Sequence, residues 1–153
     1  MDTSKRIAVL TGATGGLGHA FLKELLKSDF DEIWAVGRNE KRLEELSEEF
    51  GTGIIPLRMD LTKSEDIELF CEILKEQNPQ VDVLINNAGI AQMKASKDLK
   101  VKEIEDTIDL NCKAPVLLTN ICLPYMKRGG KIINVCSASS FQPVPYINLY
   151  ASS

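Results

Sequence analysis

The chain has 153 residues, 44% of them apolar and 26% charged, with a formal net charge of −4 and a single histidine. That length supports one domain with a sizeable core and is short for two. The mildly acidic balance offers no electrostatic footprint for nucleic acid or an anionic membrane surface, and one histidine excludes a multi-histidine metal site. Lys5 and Arg6 precede an apolar run only four residues long, short of a signal-peptide core, and no stretch approaches a membrane span. A soluble, cytoplasmic protein is expected, with no metal, nucleic acid or membrane among its partners.

Taken in order, residues 7–10 (Ile7, Ala8, Val9, Leu10) form a short apolar run suited to a buried parallel strand. It breaks into a turn bearing Gly12, Gly15, Gly16 and Gly18. Leu17, Ala20, Phe21 and Leu25 then recur at the spacing of a helix with one buried face. The pattern is strand, glycine-rich loop, helix. Free N–H groups and the positive end of the helix dipole at such an entrance suit a pyrophosphate, and missing Cβ atoms let the backbone approach it. The alternative is a turn that serves only close helix-to-strand packing.

Residues 33–36 read as a second strand, after which Asn39 can cap a helix with Leu43, Leu46 and Phe50 inward and Gly51 as its stop. A third strand is expected over 53–59. Thr62 and Glu65 match a capping box opening a helix with Ile67, Phe70, Cys71 and Leu74 inward, ended by Asn78 and Pro79. A fourth strand over 81–85 is followed by a polar loop, a long helical pattern over 102–127, the turn Gly129 and Gly130, and a fifth strand over 131–136. Cys71, Cys112, Cys122 and Cys136 are too irregularly spaced for a metal site or disulfide frame and suit small core positions. His19 reads as surface or core filling. Such alternation implies a doubly wound, Rossmann-type α/β fold, its strands parallel in the order 3-2-1-4-5, across one domain spanning 1–153. Ligands of such sheets bind at the carboxyl ends of the strands, where the glycine loop, Arg38, Asp60, Asn86 and Ser137 all fall.

Several motifs together resemble the short-chain dehydrogenase/reductase family. The run Thr11, Gly12, Ala13, Thr14, Gly15, Gly16, Leu17, Gly18 fits both TGxxxGxG of the family's compact branch and TGxxGxxG of its extended branch. Asn86, Asn87, Ala88 and Gly89 form the NNAG of the compact branch. The resemblance implies that Thr11, Gly12, Thr14, Gly15, Gly16, Leu17 and Gly18 bind the cofactor. It implies the same for Arg38, for Asp60 and Leu61 near the adenine, and for Asn87, Ala88 and Gly89. Asn111, Ser137 and Tyr150 match three members of the family's Asn-Ser-Tyr-Lys tetrad, with Tyr150 as acid and Ser137 on the substrate oxygen. Pro115, lacking an N–H, cannot bond the Asn111 carbonyl four residues back. In the family that carbonyl holds a water on a proton path.

An acidic side chain at the end of strand two would hold the ribose of NAD, but this chain has Gly37, Arg38 and Asn39 there. NADP is therefore favoured over NAD, with Arg38, and Lys41 or Arg42 nearby, toward the 2′-phosphate. The tetrad's lysine would fall at residue 154, so the 153 residues are expected to be the amino-terminal, cofactor-binding portion, inactive or weakly active and missing the family's later strands and helices. Tyr150, in a stub of helix, is expected to be mobile or misplaced. The bare edge of strand five and the apolar face of the long helix favour association, so a homo-oligomer is expected. Phe141, Pro143, Val144, Pro145, Tyr146 and Ile147 offer an apolar wall for a hydrophobic substrate. The preferred function is an NADP-dependent oxidoreductase of carbonyl or secondary alcohol substrates. The alternative is a noncatalytic nucleotide-binding or assembly module completed by a partner chain.

Overall fold

The computed structural model describes residues 4–142 and 144–153. Five strands, β1 (Arg6–Thr11), β2 (Glu32–Gly37), β3 (Ile54–Arg58), β4 (Gln80–Asn86) and β5 (Lys131–Asn134), form one sheet in the order β3-β2-β1-β4-β5. Every neighbouring pair is parallel, as the alternation of strands and helices requires. Side chains of the inner strands alternate between two apolar layers. Ile7, Val9, Trp34, Val36 and Leu84 pack with Phe70, Leu74, Leu118 and Cys122 on one face, and Trp34 meets Phe70 edge-on with ring centroids 6.2 Å apart. Ala8, Leu10, Ile33, Ala35 and Ile85 pack with Leu22, Leu25, Leu43 and Leu46 on the other. Pro56 is accommodated because β3 is an edge strand with no ladder to supply on its outer side.

The helices are α1 (Gly16–Leu25), α2 (Glu40–Phe50), α3 (Ser64–Gln77), α4 (Val101–Ile108), α5 (Ala114–Cys122) and α6 (Asn148–Ala151). The inward face of α1 differs from the expected one. Gly18, Leu22 and Leu25 are buried while Leu17 and Ala20 are exposed, because the tightest contact in that helix runs through Gly18. A Cβ there would lie 2.2 Å from the Gly12 carbonyl oxygen. The capping box at Thr62 also does not form. The Thr62 hydroxyl donates to Asp60 Oδ1 at 2.7 Å, and α3 starts later, with Asp66 accepting from the Asp60 N–H at 2.6 Å.

The long helical pattern is broken. Between α4 and α5 lies a π turn (Asp109–Lys113), in which the Ala114 N–H reaches back five residues to Asp109 O, and a 3₁₀ turn (Leu123–Tyr125) follows α5. Pro115 supplies the cause: it has no N–H for the carbonyl of residue 111, and the helix widens immediately before it. Cys122 is fully buried, which pushes its thiol up to about 12. Cys136, by contrast, is exposed, and all four cysteines are free thiols. His19 lies half-buried on α1 against the Glu49 carboxylate and the Phe50 ring. No helix among the described residues is long and apolar enough to cross a membrane.

Candidate active site

β1 runs into the glycine-rich loop at Thr11, a buried residue whose hydroxyl oxygen accepts from the N–H groups of Asn87 and Ala88, both at 3.0 Å. The Asn87 side chain returns two bonds, donating to Thr11 O at 3.0 Å and Gly12 O at 3.2 Å. The loops after β1 and β4 are thereby locked to each other. Gly12 sits at φ +65° with room only for hydrogen: a Cβ would approach Ala88 Cα to 2.9 Å. Gly15 and Gly16 are different, for a Cβ on Gly15 has its nearest neighbour at 3.6 Å and one on Gly16 meets nothing. Gly12 and Gly18 serve packing, whereas Gly15 and Gly16 face open space. Together with Thr14, Leu17, Arg38, Met59, Leu61 and residues 87–90 these glycines line a cleft of about 880 Å3 along the carboxyl ends of the strands.

Arg38 is the first residue after β2 and lies exposed on this cleft. Its side chain makes no hydrogen bond to any described residue. Leu61, 4% exposed, forms part of the floor. Asp60 does not line the cleft. Partial burial acts to raise its carboxyl, but the Thr62 hydroxyl and N–H, with Arg38 and Lys63 nearby, outweigh this and hold it below the usual carboxylate range. Thr11 likewise stands behind the cleft wall and acts through the Asn87 loop.

A second cleft, of about 1120 Å3, shares Leu17, Asn87, Ala88, Gly89 and Ile90 with the first. Asn111, Ser137 and Tyr150 all line it. Asn111 lies in the π turn and is held on both sides, accepting from the Ile90 N–H and donating to Ile90 O, each at 2.9 Å, and donating to Ser153 Oγ at 2.8 Å. Ser137 Oγ accepts from the Ser139 N–H at 3.2 Å, which leaves its proton available to another acceptor. Tyr150 stands on α6, and its phenol makes no hydrogen bond among the described residues. The short helix is tied down on both sides of Tyr150: Asn148 donates to Ser96 Oγ at 3.2 Å, Ile147 is 8% exposed, and Cys112 donates to Ser153 O at 3.3 Å.

The expected apolar wall does not line this cleft. Phe141, Val144 and Tyr146 are exposed, Ile147 packs inward, and Pro143 lies outside the described residues. Ile90, Pro115, Val116 and Val135 supply the apolar lining instead. Thr119 lines the cleft as well, and the four-residue spacing of Asn111, Pro115 and Thr119 along one helix face is the sequence signal that marks it. Its hydroxyl lies 3.4 Å from the Asn86 side-chain nitrogen, which also donates to Asn134 at 2.8 Å. No group of three or more His, Cys, Asp or Glu placed to hold a metal occurs among the described residues.

A parallel sheet in this order, with a glycine-rich entrance to its first helix and two joined clefts at its carboxyl edge, defines an α/β fold of the Rossmann type. The chain belongs to the short-chain dehydrogenase family, whose model matches residues 6–153. It is 30% identical over 151 residues to an uncharacterised oxidoreductase of Staphylococcus epidermidis, covering 97% of this chain and 65% of that protein. It is 32% identical over 150 residues to the NADP-dependent 3-hydroxy acid dehydrogenase YdfG of Escherichia coli K12, covering 96% and 60%. Among solved structures, the closed form of a serine dehydrogenase complexed with NADP+ superposes with a TM-score of 0.82 at 31% identity, covering 95% of this chain and 60% of that one. The chain thus spans somewhat under two thirds of the length of these relatives.

Proposed function

We propose that these residues form the cofactor-binding and part of the catalytic portion of an NADP-dependent oxidoreductase acting on carbonyls or secondary alcohols. The observation that carries this reading is the junction of the two clefts. One is lined by the open glycines and Arg38, the other by Asn111, Ser137 and Tyr150, and they meet at Asn87–Ile90. The residues present fit the cofactor. Gly15 and Gly16 leave space for a pyrophosphate at the start of α1. The Arg38 fork, which makes no hydrogen bond to a described residue, suits a 2′-phosphate, and neither Arg38 nor Asn39, the two residues between β2 and α2, is a carboxylate that would hold a ribose instead. NADPH, when bound, supplies the hydride. Ser137 would donate to the carbonyl oxygen, Tyr150 would deliver the proton to it, and Asn111 would hold the turn beneath both.

The substrate class is narrower than the family. Relatives named as 3-hydroxy acid dehydrogenases make 3-hydroxy acids the first compounds to assay. Among the described residues, however, none lining the second cleft is cationic, so an uncharged carbonyl compound suits this lining better than a carboxylate. The cofactor assignment is tested by calorimetric titration with NADPH and NADH. NADPH binds more tightly, and Arg38→Ala narrows the gap about tenfold, because a charge-assisted contact to a phosphate is lost. Equal affinities in the unmutated protein reject the assignment.

A further inference from the structure

The glycine-rich loop is held from a second element. Asn39 caps α2 by accepting from the Arg42 N–H at 3.1 Å, which fixes the Arg42 backbone in the first turn of that helix. From there Arg42 Nη1 donates across to the Thr14 carbonyl at 3.5 Å. At the other end of the same peptide unit, the Gly15 N–H donates to Gly12 O at 3.2 Å. A trans peptide points its C=O and N–H in opposite directions, so the Thr14–Gly15 unit is clamped at both ends, and Arg42 is the outer clamp. Packing agrees with this placement: a Cβ on Gly37 would lie 3.3 Å from Thr14 Cγ2, so Thr14 sits directly over the end of β2. Gly16 and Leu17, which follow, open α1 and line the first cleft.

We propose that Arg42 is a positioning residue for the dinucleotide site, presetting the glycine loop in its binding shape without itself meeting the nucleotide. The inference rests on the reading of the first cleft as an NADP site. Arg38 lines that cleft and Arg42 does not, which separates the two cations by role although one helical turn separates them in sequence. A loop ordered before binding loses less freedom when the ligand arrives, and affinity rises accordingly. The loop meets the pyrophosphate, which NADPH and NADH share. Removing its clamp therefore weakens both cofactors by the same factor, whereas removing a phosphate ligand weakens NADPH alone.

The test is calorimetry with NADPH and NADH on the unmutated chain, Arg42→Ala and Arg42→Lys, together with thermal unfolding of each without cofactor. Arg42→Ala is expected to lower both affinities about three- to tenfold with their ratio unchanged. Arg42→Lys, which keeps a charged donor, should recover most of the loss. The melting temperatures should stay together, since Arg42 is exposed. A loss confined to NADPH would make Arg42 a phosphate ligand and overturn the proposal. Unchanged affinities for both cofactors would show the bridge to be inert. Parallel losses of affinity and melting temperature that Lys does not rescue would reduce it to a structural contact. If the unmutated chain binds neither cofactor, the reading of the cleft fails first and this inference with it.

Discussion

Individual side chains at the carboxyl edge of the sheet divide into those that face the clefts and those that hold the loops in place. Arg38, Ser137 and Tyr150 belong to the first group, Thr11 and Asp60 to the second, and Asn87, which lines both clefts while bonding the Thr11 loop, to both. The sequence order of the motifs marks both groups as important but does not distinguish them, because the distinction lies in hydrogen bonds between residues as far apart as Thr11 and Asn87. Asp60 gives a testable consequence. Its carboxyl is held below the usual range in the folded chain, against an unfolded value near ~4. A depressed carboxylate contributes stability that is fully present above the unfolded value and is lost as pH falls through the folded one. The urea midpoint of the unmutated chain should therefore fall more steeply between about pH 5 and pH 2 than that of Asp60→Asn. Parallel acid limbs in the two proteins would show that the Thr62 bonds do not discriminate between the two protonation states.

At the scale of elements, strands were legible because each is a short apolar run bounded by turn residues. Helix interiors were less so. The periodicity of 102–127 is that of one helix, and only Pro115 pointed to the interruption that the π turn of Asp109–Lys113 makes. On α1 apolar spacing points to Leu17 as inward, whereas close packing against the Gly12 carbonyl puts Gly18 on the inward face. The same geometry separates the glycines experimentally. Gly18→Ala places a methyl 2.2 Å from a backbone oxygen, so it should destabilise the fold by on the order of 3 kcal/mol. Gly16→Ala meets no atom within 4 Å and should leave stability within about 0.5 kcal/mol. Its methyl stands in the cleft, however, and should weaken NADPH binding about tenfold by displacing a phosphate from the backbone N–H groups. Chemical denaturation beside a binding titration reads both effects. A Gly16→Ala protein with unaltered NADPH affinity would place the pyrophosphate elsewhere.

For the molecule as a whole, strand order followed from sequence because crossover connections leave few alternatives once the strands and helices alternate. The convergence of Asn111, Ser137 and Tyr150 on one cleft did not follow from periodicity alone, since it depends on contacts that tie Asn148 to Ser96 and Ser153 to Asn111 and Cys112. Those contacts place the tyrosine without supplying a charge beside it. A phenol has a reference pKa near ~10, and serving as a proton donor and acceptor near neutrality requires a cation beside it. At about 4 Å and an effective dielectric of ~20, a unit charge contributes about 4 kcal/mol, or roughly three pKa units. Tyr150 is followed by Ala151, Ser152 and Ser153, and among the described residues no lysine or arginine lines the second cleft. Carbonyl reduction by residues 1–153 made alone, followed through NADPH absorbance, is therefore expected to be orders of magnitude slower than by a chain continued to the family's length with a lysine four residues after Tyr150. NADPH affinity should change far less than turnover, because the glycine loop and Arg38 are already in place. Comparing both quantities in the two chains separates a missing proton donor from a missing cofactor site. Equal turnover would mean that the tyrosine needs no lysine, and the proton delivery proposed for Tyr150 would be wrong.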